Sequence, residues 1–148
     1  MKLELTLVNC LWLILPLLAW NLVLGRRITQ EAITSDAHSP KWLLVAENVS
    51  RILVFALPVI IPLHVNNMPS KAGLIIYILG TLVYFASWLP LLLAPASSWS
   101  KSVSGWLAPR LTPFFSFLGI ALIGGSWPYE VIAATFIFFH TWHGIQNL

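Results

Sequence analysis

The chain has 148 residues, of which 58% are hydrophobic and only 9% are charged. Soluble domains carry about 25% charged residues, so these residues cannot build a water-facing surface. Two long stretches, between Lys71 and Lys101 and between Arg110 and Glu130, contain no charged side chain. Disordered chains, coiled coils, nucleic-acid binders and soluble enzymes are therefore excluded, and the composition indicates a polytopic membrane protein.

Five apolar segments are predicted to be transmembrane helices, since a crossing needs about 20 mostly apolar residues. The first ends at Arg26 and Arg27 and has no small-residue cleavage site, which favours a retained helix over a signal peptide. The second reaches full length only if it begins near Trp42, and the helix then contains Glu47 and Arg51. The sequence thus predicts a single all-α domain, a compact bundle of five transmembrane helices, with spans 5–25, 42–64, 72–94, 109–126 and 128–148.

The fourth span is short and rich in glycine, and the serine-rich segment before it, 97–110, is expected to be a helix in the membrane interface or a loop with aromatic anchors. Small residues favour close approach of membrane helices. They are Gly73 and Gly80 in the third span, and Gly119, Ala121 and Gly125 in the fourth.

Basic residues predict the orientation, because cytoplasmic loops carry an excess of Lys and Arg. With five spans, one side of the membrane has only Lys2 and Lys71. The side shared with the C-terminus has five basic residues: Arg26, Arg27, Lys41, Lys101 and Arg110. We expect an outside N-terminus and a cytoplasmic C-terminus, in a bacterial inner membrane. If the fourth segment is re-entrant, the C-terminus lies outside.

Polar residues at similar depth in three spans indicate a ligand site, because unpaired polar groups are costly in lipid. Glu47 and Arg51 are four positions apart on one helix face, with the acid nearer the N-terminus, which favours an ion pair. His140 and His143 share a face near the end of the fifth span. The predicted ligand-binding residues are Asn21, Glu47, Asn48, Arg51, His140 and His143.

A purely structural role is the alternative for these residues. Arginine side chains reach toward lipid headgroups, and a Glu–Arg pair can simply join two helices. A second set of polar residues lies at predicted helix ends on the opposite side of the membrane, where polar side chains are expected without any functional role: His64, Asn66, Asn67 and Glu130.

Several chemistries are excluded by counting residues. The single cysteine, Cys10, cannot form a disulfide pair or a Cys₂ zinc site. His64 lies in the opposite leaflet from His140, so those two cannot ligate one haem. His140 and His143 with Glu47 could bind a metal, but HxxH alone is a weak motif. We therefore predict no metal and no cofactor.

The size, the five predicted spans and the eight tryptophans resemble the translocator-protein family of tryptophan-rich sensors. The resemblance is limited to size, number of spans and tryptophan content, and we infer no ligand from it.

The expected function is binding or transport of a small or lipid-like molecule through a polar pocket in the cytoplasmic leaflet. The alternatives are an enzyme acting on a lipid, prenyl or quinone substrate, with His140 or Glu47 as general acid–base, and a structural or immunity-type partner without a ligand. Expected partners are membrane lipids and a small hydrophobic or anionic ligand, not nucleic acid; a homo-oligomer stays open.

Overall fold

The structure, a computed structural model, describes residues 8–32 and 39–146, without the side chains of residues 25–32. Within these ranges the fold is all-helical, as predicted, and has no strand; Asn9 and Pro62 form an isolated bridge. The α-helices are α1 (Leu11–Ala32), α2 (Lys41–Ala56), α3 (Met68–Leu93), α4 (Val103–Leu111), α5 (Pro113–Gly124) and α6 (Trp127–Gln146).

Three helical segments of the described chain are long and apolar enough to cross a membrane: Lys41–Val59, Met68–Leu93 and Val103–Gly124. The apolar part of α1, Leu11–Leu24, is shorter. Helix α6 has 20 residues but also carries Glu130, two histidines and Gln146. The structure therefore supports a membrane protein with three helices that can span, whereas five crossings stay a prediction.

The second predicted span ends earlier than residue 64. Helix α2 stops at Ala56 and a 3₁₀ turn follows over Leu57–Val59. Pro58 lies in that turn, where its missing N–H cannot continue an α-helical ladder. The next residues turn back to the segment before α1: the Cys10 N–H donates to the Ile61 carbonyl at 2.9 Å.

The predicted interfacial segment and the fourth span are parts of one helical run. Helices α4 and α5 are separated only by Thr112, and together they form a segment of 22 residues. Pro113 opens α5, where its missing N–H costs nothing. Gly125 ends the run with a φ of 60°, and a Cβ built on it would have no other atom within 4 Å. It is a helix cap, so its predicted role in close helix packing was wrong.

Helices α3 and α5 cross at the other predicted glycines. A Cβ on Gly119 would lie 2.6 Å from the Tyr77 backbone nitrogen, and one on Gly80 would lie 2.8 Å from the Ser116 nitrogen. Thr81 and Ser116 share a buried hydrogen bond of 3.1 Å at this crossing. These contacts place α5 in the centre, where it also adjoins α6.

Buried tyrosines attach the remaining helices to this centre. The Tyr77 hydroxyl of α3 donates to the Leu13 carbonyl of α1 at 2.7 Å. The Tyr129 hydroxyl of α6 donates to the Val54 carbonyl of α2 at 3.1 Å. In lipid, such bonds satisfy groups that have no water to bond with. The second of them fixes α6 against α2.

Candidate functional site

The carboxylate of Glu47 is the centre of a polar cluster between α2 and α6. Its side chain is only 3% exposed, and both of its oxygens are engaged. Oε1 accepts from Arg51 and lies 2.9 Å from Nδ1 of His140. Oε2 lies 2.5 Å from Nδ1 of His143. Glu47 of the second predicted span therefore contacts His140 and His143 of the fifth directly.

Helix spacing explains how these four side chains meet. Glu47 and Arg51 are one turn apart on α2, and His140 and His143 are one turn apart on α6. The His140 ring also stacks on Phe136, with centroids 5.3 Å apart and planes at 17°. The aromatic ring and the carboxylate together fix the orientation of the imidazole.

The carboxylate also determines which nitrogen of each histidine carries hydrogen. An ionised carboxylate only accepts hydrogen bonds, so Nδ1 of both rings is the donor. In a neutral His140, Nε2 is then the acceptor. The His140 side chain is 30% exposed, so its ring remains partly accessible while it is held by Glu47.

The two predicted asparagines have different surroundings. Asn48 joins the cluster weakly, since its Oδ1 accepts from Arg51 over 3.4 Å at an exposed position. Asn21 lies at the contact of α1 with α3, where its Oδ1 accepts from the Tyr84 hydroxyl at 2.7 Å. Among the hydrogen bonds of the described side chains, none connects Asn21 to Glu47. The structure therefore brings five of the predicted residues together and leaves Asn21 apart.

Arg110 on α4 is a further member that the sequence analysis used only as a topology marker. Its guanidinium lies over the Trp106 ring, 3.5 Å from the centroid, and donates to the Trp106 carbonyl at 3.0 Å. It lies on the helix that packs against α6, which carries His140 and His143. The sequence signal was available: Arg110 is the only charged residue in Val103–Gly124, and lone charges in apolar spans are functional pointers.

Gly144 provides the space for Arg110 on α6. A Cβ at this position would lie 2.7 Å from Nε of Arg110 and would also overlap the Trp106 ring. Gly144 is one turn after His140, so Arg110 packs against α6 one helical turn beyond that histidine. The cluster is thus built from three helices: α2, α4 and α6.

An apolar groove of about 570 Å³ runs along another face of the same two helices. Val45, Val49 and Leu53 form its α2 wall, and Phe139 contributes from α6. Residues 45 and 49 point away from Glu47, because positions two apart on a helix differ by about 200°. The groove is therefore separate from the polar cluster but lies beside it.

The cluster is a network of basic side chains around a single carboxylate. In the described part of the chain, no group of three histidine, cysteine or acidic side chains is arranged to hold a metal ion. The cluster has two guanidinium groups and one carboxylate. On the predicted opposite side, Asn67 caps α3 by accepting from the Ser70 N–H at 2.9 Å, which is a structural task.

Comparison of the chain with protein-family models, with curated proteins and with solved structures gave no match. The resemblance to tryptophan-rich sensors in size and tryptophan content is therefore not supported by a match to a family model. The side chains of the cluster are the basis for inferring a function.

Proposed function

We propose that this chain is an integral membrane protein of five transmembrane helices that binds or transports a small or lipid-like molecule with an anionic or carbonyl group. The observation that carries the proposal is the buried Glu47 cluster, in which Arg51 and Arg110 outnumber the single carboxylate. Arg51 is 43% exposed and His140 is 30% exposed, so an incoming molecule can reach both.

The depth of the cluster supports a site within one leaflet. Glu47 follows Lys41, the first residue of α2, by about 9 Å at 1.5 Å per residue. His140 precedes Gln146, the last residue of α6, by the same distance. With the predicted orientation both lie in the cytoplasmic leaflet. The neighbouring apolar groove offers a surface for a hydrocarbon chain.

An enzyme acting on a lipid, prenyl or quinone substrate is the second candidate. The observation in its favour is the hydrogen bond from Nδ1 of His140 to Glu47, which leaves Nε2 as the proton acceptor. A histidine oriented by a carboxylate in this way is suited to general acid–base catalysis. A structural role, in which the cluster only joins α2 to α6, is the third.

Extraction of the purified protein tests these three roles. We expect an amphiphilic molecule to accompany the protein in mild detergent and to fall at least about tenfold in Arg51→Gln, as one charge-assisted contact is lost. Mass spectrometry of the extract measures it. Lys71→Gln, which changes the net charge equally at an exposed position outside the cluster, should retain the wild-type amount.

Identical extracts from all three proteins would favour the structural role and contradict the proposal. Conversion of the bound molecule to a product by the wild type, lost in His140→Gln while the molecule stays bound, would identify the enzyme. Binding without conversion supports the binding or transport role.

The five-span arrangement predicts which side each loop faces. In a Cys10→Ser background, a cysteine at Asn66 should react with an impermeant maleimide in intact cells, whereas one at Ser98 should react only after lysis. Both positions are exposed, so accessibility in the fold is matched. An alkaline phosphatase fused after Leu148 should be inactive. An active fusion would contradict five spans and indicate a re-entrant fourth segment.

A further inference from the structure

Arg110 differs from Arg51 in having no acidic partner. Arg51 is paired with Glu47, but among the described residues no carboxylate lies within ion-pair distance of Arg110. One of its five N–H groups donates to the Trp106 carbonyl. We infer that Arg110 is the residue that binds the oxyanion of the ligand, a phosphate-type group. This inference rests on the proposed binding function.

The charge of Arg110 is unbalanced within the cluster. Neither oxygen of Glu47 is left for Arg110, because both are already occupied by Arg51, His140 and His143. A half-buried arginine in an apolar membrane segment is costly without a counter-charge. The Trp106 ring offsets a part of that cost through its cation–π contact with the guanidinium. An anion supplies the rest.

The geometry suits an oxyanion in particular. Trp106 holds the plane of the guanidinium, and Gly144 gives the Arg110 side chain the room to lie against α6. A planar guanidinium with a fixed orientation can donate two parallel hydrogen bonds to a phosphate or carboxylate. The same chemistry is found in free phosphate and in a lipid phosphate headgroup.

Binding of two phosphate probes to the purified protein in a neutral detergent tests the inference. The probes are inorganic phosphate and dihexanoyl phosphatidic acid, with dihexanoylglycerol as the phosphate-free control. Calorimetry measures the Kd. We expect Arg110→Gln to weaken binding at least about tenfold, as for the loss of a charge-assisted contact. Lys101→Gln, an equal charge change at an exposed loop position, should stay within about twofold.

The probes separate the two sources of the oxyanion. Binding of both, each dependent on Arg110, indicates a free oxyanion ligand, and binding of phosphatidic acid alone indicates a lipid headgroup. Arg110→Lys keeps the charge without the planar fork and should give an intermediate Kd. That variant is a second test if Arg110→Gln does not fold.

Failure of the inference can be distinguished from failure of the proposed function. If the Kd is unchanged in Arg110→Gln and Arg110→Lys but weakened in Arg51→Gln, the oxyanion contact is not Arg110, and the cluster still binds. If neither probe binds while a molecule without an oxyanion is extracted from the protein, the inference is again overturned alone. If nothing binds and nothing is extracted, both are overturned.

Discussion

Glu47→Gln is expected to lower the free energy of unfolding by about 3 kcal/mol. The carboxylate is almost fully buried and neutralises the groups that α6 and α2 direct toward it. Glutamine has no charge and only one acceptor oxygen, so Arg51 loses its counter-charge and at least one histidine loses its acceptor. Because Arg51 is 43% exposed, solvent screens part of this loss, which places the estimate at the lower end of the range for buried pairs of about 3–5 kcal/mol.

A double-mutant cycle measures this coupling. Denaturation in mixed detergent gives the free energy of unfolding of Glu47→Gln, Arg51→Leu and the double variant. We expect the double variant to be more stable than Glu47→Gln alone, since it no longer contains an uncompensated cation. Glu130→Gln, on the first turn of α6, should change stability by less than about 0.5 kcal/mol. Strictly additive effects would show that Glu47 and Arg51 do not interact.

Gly119→Val is expected to cost about 2–3 kcal/mol by separating α5 from α3. Even a Cβ at this position would meet the Tyr77 nitrogen at 2.6 Å and the Gly73 carbonyl oxygen at 2.7 Å. Both are backbone atoms, which cannot rotate away, so the helices themselves must move. Gly119→Ala should produce the same effect in smaller measure.

The same denaturation measurement checks this prediction. Ala134→Val is a suitable control, because Ala134 lies on the exposed face of α6 and gains a similar volume without a neighbour. Wild-type stability of Gly119→Val would mean that α3 and α5 are further apart than described. The predicted importance of this glycine would then be wrong.

The meeting of Glu47 with the histidines could be predicted because two independent constraints agree. Helical spacing puts each pair on one face, and the depth of each pair below its helix end is the same. Asn21 satisfies the depth criterion equally well, yet it bonds to Tyr84. The depth of a residue along its helix does not determine which neighbouring helix its side chain contacts. The partner of Asn21 depended on how α1 is rotated against α3.

Two other features depended on tertiary structure. A proline such as Pro58 is expected to distort a helix, but the turn at Leu57–Val59 also depends on the pairing of the next residues with the segment before α1. Arg110 was read as an anchor at a helix end, because the sequence does not show that α4 continues into α5. Its position against α6 requires the space at Gly144.

The pairing between Cys10 and Ile61 has a consequence for how the protein is made. The two partners are some fifty positions apart: the Cys10 thiol, 52 residues before Pro62, also donates to the Pro62 carbonyl at 3.7 Å. The ribosome therefore completes α1 long before the acceptors for its leading turn exist. If α1 crosses the membrane, as the five-span prediction has it, the N–H of Cys10 must until then be hydrated or paired elsewhere, because lipid offers no acceptor. In that arrangement, insertion of α1 and α2 together as a helical hairpin would satisfy these groups, whereas release of α1 alone into lipid would not.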